Sequence, residues 1–412
     1  MKILYCDRFD PENLMSDSVH NYELVTNLSK LGHVVVSLGA NHSKSRLGGK
    51  GNRKSSLLEY MKRGLRSARL CRVLLNGIRI LRYFGHESSI FFSAFIVIVK
   101  QKRQFDIIYR RHNLFNSEYL LAKLFDIPLV KEVNGIIADE GRMQNVRGNL
   151  FSRIIDTIER LNMRRADRII VVTSKLKDVL HDDYGVPEEK TVVISNGANT
   201  ELFKPMDRTE ARNKLGLSQS DNYVCFVGSL VRWQGIGYLI QSAPLVLAEC
   251  PRTHFLIVGE GAMKQELFDE AEQIGAVDRF TFTGRVTYEW VPYYINASDV
   301  CIAAFGAERN ERTGSSALKL CEYLACAKPV VTSRISGVEF IESHQAGILV
   351  APGAVRELAN AIIKLLQAPD LRKKMGENGR KYVSEERSWE MVAKKVAGVC
   401  QQLVKEHRVS DS

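Results

Sequence analysis

Short apolar runs rich in β-branched residues alternate with longer helical patterns along most of the chain. The runs lack clean apolar–polar alternation, which is typical of strands that helices bury on both faces of a parallel sheet. The first six are KILYC (2–6), HVVVSLG (33–39), DIIYRR (106–111), PLVKEVNG (128–135), RIIVVT (168–173) and TVVISNG (191–197). The second six are YVCFVGS (223–229), HFLIVGEG (254–261), RFTFTGRV (279–286), DVCIAAF (299–305), KPVVTS (328–333) and AGILVAP (346–352). The pattern predicts an α/β protein.

A break at 199–222, which contains Pro205 and turn residues, separates the two series. We therefore predict two doubly wound, Rossmann-like domains, residues 1–205 and 206–387, followed by a closing helix at 388–412. Ligands of such sheets bind beyond the carboxyl ends of the strands, so the two domains are expected to face each other across a cleft.

The composition is that of a globular protein: 412 residues, 45% apolar and 25% charged. It excludes a disordered chain and a small disulfide scaffold. The net charge of +11 is unevenly placed, because residues 44–104 contain 15 Lys/Arg and two acidic residues, which gives +13. A single basic insert in the first domain indicates one localised anionic partner and argues against a nucleic-acid groove along the whole molecule.

The insert suggests what this partner is. Leu58, Met61 and Leu65 share one helical face, and Lys62 and Arg66 share another, so the pattern predicts a basic amphipathic helix. The helix either packs on the domain with a solvated basic face or contacts an anionic membrane surface. The apolar run at 90–99 is too short to span a bilayer and is expected to be a buried core helix.

No signal peptide is expected, because the first residues lack a long apolar core. The eight cysteines form no CxxC pair and mostly lie in apolar runs, which favours buried free thiols in a reducing compartment. We therefore expect a cytoplasmic protein that associates peripherally with the inner face of the plasma membrane.

The segment GSSALKLCEYLACAKPVVTS (314–333) combines a loop of small residues, a helix and a buried strand. Backbone N–H groups at Gly314, Ser315 and Ser316 would be unpaired at the helix start and suit a phosphate. Lys319 adds a positive charge. Glu322, three residues later on the same helical side, can accept both hydroxyls of a ribose. In isolation, however, the segment favours a plain capped helix.

Three further glycine turns follow successive predicted strands. Gly228 precedes Arg232, whose guanidinium can hold a pyrophosphate by forked hydrogen bonds. Gly259 permits close backbone approach after the next strand, and Gly284 precedes Val286, whose backbone can read the edge of a nucleobase. Four such turns at neighbouring strand ends predict a site for a nucleoside diphosphate.

These segments, together with RADRIIVVTSKLKDVL (165–180), VVISNGANTELFKP (192–205) and VPYYINASDVCIAAF (291–305), resemble the family-4 glycosyltransferases of the GT-B fold. The resemblance covers most of the chain outside 44–104. It implies that the second domain binds a sugar nucleotide, with Arg232 on the diphosphate, Val286 on the base and Glu322 on the ribose. Metal-independent transfer with retention of the anomeric configuration is also implied.

Two positions depart from the family pattern. Gly314 stands eight residues before Glu322, where many members have a first glutamate, although a branch of the family has small residues there. Glu308 or Glu311 from the preceding loop is a candidate replacement. Gln234 stands where a lysine is usual, which weakens the expected diphosphate clamp.

The first domain is expected to bind the acceptor. His20 lies near the start of the first helix, and Arg111 ends a predicted strand. Glu132 and Asn134 lie at the next strand end, where family members often have a histidine. Asn134 is suited to orienting an acceptor hydroxyl, and Glu132 is the better charged partner. Surface or structural roles remain open for all four residues.

The sequence as a whole predicts a retaining glycosyltransferase that moves a sugar from a UDP- or GDP-sugar to a glycan or lipid-linked acceptor. No cofactor and no metal are expected, since the Asp182–Asp183 pair lies far from the glycine turns and is predicted to be surface. The alternatives are a sugar-nucleotide epimerase or phosphorylase of the same fold and a catalytically degenerate carbohydrate-binding member. A nicotinamide dehydrogenase is disfavoured because no GxGxxG follows the first strand.

Overall fold

The computed structural model describes residues 1–7, 16–38, 88–101, 104–114, 116–139 and 149–410. Most of the basic insert, including its amphipathic pattern at 58–69, lies outside the described residues. The described chain forms two parallel six-stranded sheets with helices on both faces.

The first sheet has the strand order β2-β1-β3-β4-β5-β6. Its strands are β1 (Lys2–Tyr5), β2 (Val34–Ser37), β3 (Ile107–Arg111), β4 (Leu129–Val133), β5 (Arg168–Val171) and β6 (Thr191–Val193). The helices of this part are α1 (Ser16–Lys30), α2 (88–100), α3 (Ser117–Phe125), α4 (Asn149–Arg164) and α5 (Ser174–Asp182). The sheet is doubly wound, because the order reverses between β1 and β3.

The second sheet has the order β12-β11-β10-β7-β8-β9. Its strands are β7 (Asn222–Val227), β8 (Thr253–Val258), β9 (Phe280–Gly284), β10 (Val300–Ala303), β11 (Val330–Ser333) and β12 (Gly347–Val350). Each of the twelve predicted runs contains one strand, so the predicted α/β fold with two doubly wound sheets is confirmed.

The helices around the second sheet begin after the linker that contains Pro205. They are α6 (Arg208–Leu215), α7 (Ile236–Glu249), α8 (Lys264–Gln273), α9 (Val291–Ala297), α10 (Ala307–Thr313), α11 (Leu318–Ala325), α12 (Phe340–Ser343), α13 (Val355–Gln367) and α14 (Pro369–Glu386). The segment with Glu311 is thus a helix, α10, and not the loop expected from sequence. Glu311 is exposed on it.

The C-terminal helix α15 (Trp389–Ser410) returns to the first sheet. Trp389 and Val396 on this helix are buried in one cluster with Ile3, Tyr5 and Ile107. The chain therefore crosses between the two sheets twice, once before α6 and once before α15.

The apolar run at 90–99 forms helix α2, which is buried on one face only. Ile90, Ala94 and Ile98 pack into the core of the first sheet, whereas Phe92 and Ile96 on the outer face are exposed. The run is thus a helix that packs into the core, as expected, but only by its inner face, because no described element covers the outer face.

Among the described residues, no helix has the length and apolar character needed to cross a membrane. The cysteines in these ranges are free and buried, as expected for thiols in apolar runs: Cys6, Cys225, Cys250, Cys301, Cys321, Cys326 and Cys400.

Candidate functional site

The glycine turns after β7, β8 and β9 lie side by side. The Gly259 N–H donates to the Gly284 carbonyl over 3.0 Å. Gly228 and Gly259 both have φ near +144°, and a Cβ on Gly259 would overlap the Gly228 carbonyl oxygen. Only glycine tolerates this conformation and this approach, so the glycines let the neighbouring strand ends pack backbone against backbone.

The Lys319 side chain of α11 lies beside the carboxyl end of β7, next to Gly228. Its ammonium donates to Gln234 Oε1 over 2.7 Å and lies 3.9 Å from the centroid of the Phe226 ring. Burial lowers the pKa of Lys319 to about 7, against the opposing charge of Glu322. Gln234, the residue that departs from the family pattern, thus holds the lysine beside Gly228.

We predict that Gly228→Ala lowers affinity for a nucleoside diphosphate by about three- to tenfold. A Cβ at this position would lie 2.5 Å from Lys319 Nζ and would displace the ammonium, at a cost of about 0.7–1.4 kcal/mol, the size of one ordinary hydrogen bond. Isothermal titration with UDP and GDP measures the effect. Gly216→Ala is the control, because Gly216 also has positive φ but a Cβ there would have no neighbouring atom within 4 Å; an equal loss in both variants would contradict the prediction.

Glu322 lies one turn after Lys319 and is also buried. Tyr288 donates its hydroxyl to Glu322 Oε1 over 3.4 Å. Burial raises the pKa of Glu322 to about 7, although Lys319 and Tyr288 favour the ionised form. Val286 packs in the same apolar cluster as Tyr288. Val286, which is predicted to contact the nucleobase, therefore lies close to Glu322, which is predicted to contact the ribose.

The loop that opens α11 is fixed by backbone contacts. The Gly314 N–H donates to the Asn310 carbonyl over 2.9 Å and the Ser315 N–H to the Ser336 carbonyl over 2.8 Å, so the prediction that these two groups are unpaired is wrong. A Cβ on Gly314 would lie 2.5 Å from the Ser336 oxygen. Gly314 thus has a steric reason to be glycine. The Asn196 N–H donates to Ser316 Oγ over 2.9 Å, and the Asn196 amide donates to the Ser316 carbonyl over 2.7 Å. Since Asn196 follows β6, the first sheet helps to shape this loop.

Arg232 does not join Lys319 and Glu322. Its side chain is exposed and lines a cavity of about 670 Å³ beside α7 and α8, with Tyr238, Met263 and Glu270 among the lining residues. Arg232 is nevertheless in the same short turn as Gln234. Contact between Arg232 and a diphosphate therefore needs a side-chain rotation from this arrangement and stays a prediction.

A second connection between the two sheets lies immediately before the loop. Arg312 pairs with Asp139, beyond β4, at 2.5 Å and with Asp183, beyond α5, at 2.6 Å. Thr173 Oγ1 donates to the Thr313 carbonyl over 2.6 Å. The sequence suggested that Asp183 is a plain surface residue; it is half-exposed but bonds across the cleft.

We predict that Arg312→Gln loosens this connection. Partly exposed ion pairs stabilise by about 0.2–1 kcal/mol each, and Arg312 makes two, so amide hydrogen exchange of residues 312–316 should rise about two- to thirtyfold. Exchange mass spectrometry measures it. Arg334→Gln removes an exposed pair with Glu342 within the second domain and should leave the loop unchanged; the same response in both variants would argue against a specific connection.

On the acceptor side, His20 and Glu132 form a buried pair. His20 Nε2 lies 2.9 Å from Glu132 Oε1, and the Tyr109 hydroxyl donates to Glu132 Oε2 over 2.6 Å. The Trp389 ring meets the imidazole edge-on at 5.0 Å. Burial would raise the pKa of Glu132, but His20, Arg111 and Tyr109 outweigh it and lower the pKa to about 2. The structure therefore brings the two predicted residues together below the surface.

Arg111 and Asn134 lie at the strand ends beside this pair. Arg111 is partly exposed, and its N–H donates to Asp7 Oδ2 over 2.7 Å. Both polar atoms of the Asn134 side-chain amide are buried and have no hydrogen-bond partner among the residues that the structure describes. A buried unsatisfied amide is unfavourable, so Asn134 is well suited to a ligand hydroxyl.

Two carboxylates that the sequence reasoning missed organise the site. Glu159 accepts from His112 Nε2 and from the Ile137 and Ala138 N–H groups, and so fixes the loops after β3 and β4. Glu23 accepts from Asn199 over 2.8 Å, and its charge contributes to the raised pKa of Glu322. His20 and Glu23 are three residues apart on α1, and that helical spacing was the available signal.

Among the described ranges, no group of three or more His, Cys, Asp or Glu side chains is arranged to hold a metal ion.

Two family models match the chain in succession. The model described as Glycosyltransferase Family 4 matches residues 18–202, and the model described as Glycosyl transferases group 1 matches residues 207–382. Together they cover residues 18–382 except for 203–206, which includes every strand but β1.

Known proteins are similar over most of the chain. Alpha-D-kanosaminyltransferase of Streptomyces kanamyceticus is 26% identical over 294 residues, which are 69% of this chain and 73% of that protein. Sucrose-phosphate synthase from Thermosynechococcus elongatus has a similar fold, with a TM-score of 0.74, 20% identity and coverage of 98% of this chain and 99% of that one. HepE of Anabaena, solved with UDP, gives a TM-score of 0.69 at 19% identity and covers 98% and 100%.

Proposed function

The chain belongs to the family-4, group 1 glycosyltransferases of the GT-B fold, and from that premise we propose that it transfers a sugar from UDP- or GDP-sugar to a glycan or lipid-linked acceptor. The observation that supports the donor side of the proposal is the buried pair Lys319 and Glu322 on α11, with the Lys319 ammonium beside the Gly228 turn.

In this proposal each donor group has a matching partner. The N–H groups that follow Ser315 at the start of α11 and the Lys319 ammonium bind the diphosphate, where the helix dipole adds to the lysine charge. The Glu322 carboxylate accepts the ribose hydroxyls. A uridine nucleotide is the first choice, because HepE was solved with UDP and with UDP-glucose.

Transfer is proposed to retain the anomeric configuration. The bond between the sugar and the diphosphate breaks, the leaving diphosphate takes the proton of the acceptor hydroxyl on the same face, and the new glycosidic bond forms there. Lys319 and the α11 dipole stabilise the negative charge that develops on the leaving group. Asn134 orients the acceptor hydroxyl, whereas the buried His20–Glu132 pair holds the strand end that carries Asn134. Arg111, partly exposed at the end of β3, is proposed to contact the acceptor.

The test is a panel of UDP- and GDP-sugars. We expect slow hydrolysis of one donor without acceptor, and tight binding of its nucleoside diphosphate by titration calorimetry. Binding without turnover of any donor would favour the catalytically degenerate alternative, and the absence of both binding and turnover would refute the proposal.

We predict that excess EDTA leaves donor hydrolysis within about twofold of its value without chelator. The leaving diphosphate already has the Lys319 ammonium and the N-terminus of α11 as partners. A hydrogen-bond donor of this kind stabilises developing negative charge by about 2.7–4 kcal/mol, so no metal is needed for it. Hydrolysis is followed by release of UDP or GDP. Loss of activity in EDTA that magnesium or manganese restores would overturn the metal-free proposal.

Peripheral association with an anionic membrane, at the cytoplasmic face, is proposed through the insert at 44–104. Its support is the charge of +13 and the separation of basic from apolar residues in the sequence. Sedimentation with anionic and neutral vesicles tests it, with Lys62, Arg63, Arg66 and Arg69 changed to Gln. Equal binding to both vesicle types would refute it.

A further inference from the structure

An apolar surface on the first domain has no covering element among the described residues. Phe92, Ile96 and Val99 form a stripe on α2 and are 62%, 48% and 51% exposed. Leu120 and Leu124 on α3 are 61% and 60% exposed. These five residues are here named the outer apolar face.

The two helices pack side by side, so their exposed faces point the same way. Phe95 of α2 and Phe125 of α3 have ring centroids 5.6 Å apart. Ile90 and Ile98 of α2 share one core cluster with Leu121 of α3 on the same face of the sheet. The outer apolar face is therefore one surface that points away from the first sheet. Surfaces of this kind on soluble proteins mark docking sites.

The charges around this face identify its partner. Lys100 and Lys123 are exposed on the two helices, and Arg165 lies over the Tyr119 ring of α3 at 5.2 Å. The rim also contains an exposed acid, Asp126 at the end of α3, with 76% of its side chain accessible. Residues 88–99 contain no charged side chain at all. An apolar surface with a mainly cationic rim matches an anionic bilayer, which offers an apolar interior below negative headgroups.

We propose that the outer apolar face inserts into the headgroup layer of an anionic membrane. A second copy of the chain is a poorer partner, because pairing two such faces would bring their cationic rims together. The proposal rests on the membrane association and the lipid-linked acceptor proposed above. It adds an apolar contact with the membrane to the electrostatic contact that the basic residues of 44–104 make. Insertion here would hold the first sheet, and with it Asn134, near the membrane.

The experiment is sedimentation of the full chain with vesicles of phosphatidylglycerol and phosphatidylcholine. Phe92→Ser with Ile96→Ser should reduce the partition coefficient at least about tenfold, since two large apolar side chains lose their burial. Leu120→Ser with Leu124→Ser should do the same. The matched control is Ile154→Ser with Leu161→Ser on α4, whose side chains are 49% and 46% exposed; it should bind within about twofold of wild type.

Three results would overturn the proposal. The first is unchanged vesicle binding in both α2 and α3 variants. The second is a marked fall of the melting temperature in these variants but not in the control, which would show that other parts of the chain cover the face. The third is a concentration-dependent dimer in sedimentation velocity that the variants abolish. Vesicle binding requires no turnover, so failure here is distinct from failure of the proposed transferase activity.

Discussion

Replacing Glu322 with alanine is expected to lower transfer, or donor hydrolysis, by about 10- to 150-fold. The carboxylate is proposed to accept the ribose hydroxyls, and loss of a charge-assisted hydrogen bond of this kind costs about 1.5–3 kcal/mol. The loss should appear in donor affinity, because the ribose does not react. Titration of the nucleoside diphosphate and steady-state kinetics measure the two quantities separately.

The pH dependence gives a second measurement on the same residue. Burial raises the pKa of Glu322 and lowers the pKa of Lys319, both to about 7. Donor affinity should rise with pH as Glu322 ionises and fall again as Lys319 loses its proton, so it peaks near pH 7. Glu322→Gln should remove the acidic limb and keep the alkaline one.

Tyr288→Phe is the matched control, because it removes the 3.4 Å hydrogen bond to Glu322 and leaves the carboxylate in place. It should change donor affinity by less than about fivefold, the effect of about one neutral hydrogen bond. If Glu322→Ala is folded and binds UDP and GDP as the wild type does, the ribose role is excluded.

The central strands were predictable because they are buried on both faces. Val224 and Val300, for example, are fully buried in adjacent strands, and such positions need apolar, β-branched residues whatever the function. The glycine turns were predictable for a related reason. A Cβ on Gly259 would overlap the Gly228 carbonyl. The close approach of the two turns therefore requires glycine, and this requirement is visible in the sequence.

The long-range contacts of the site could not be predicted in this way. Arg312 meets Asp139 and Asp183 from 173 and 129 positions away, and no local periodicity encodes such pairs. The sequence suggests only that Gln234, in place of the usual lysine, weakens binding of the diphosphate. In the structure its side-chain oxygen accepts a hydrogen bond from Lys319. The sequence pattern also does not determine where an exposed side chain such as that of Arg232 points.

Replacing Glu132 with glutamine is expected to destabilise the protein by about 3 kcal/mol at pH 7. The buried carboxylate is ionised beside His20 and Tyr109, and its pKa is lowered from 4.5 to about 2. At 1.36 kcal/mol for each unit, that depression corresponds to about 3 kcal/mol of stability. Urea unfolding measures it, and Glu188→Gln, which removes an exposed carboxylate 3.5 Å from Lys177, should change stability by less than about 1 kcal/mol.

The sign of the pH effect separates this stabilising role from a catalytic one. Because the folded pKa lies below the unfolded value, the stabilisation is complete above about pH 4.5 and disappears as the pH falls towards 2. The difference in unfolding free energy between wild type and Glu132→Gln should therefore shrink steadily across this interval. A difference that is small at pH 7, or that does not change on acidification, would show that the His20–Glu132 pair does not hold the strand end. If transfer in such a stable variant also fell a hundredfold, Glu132 would have to act on the acceptor itself.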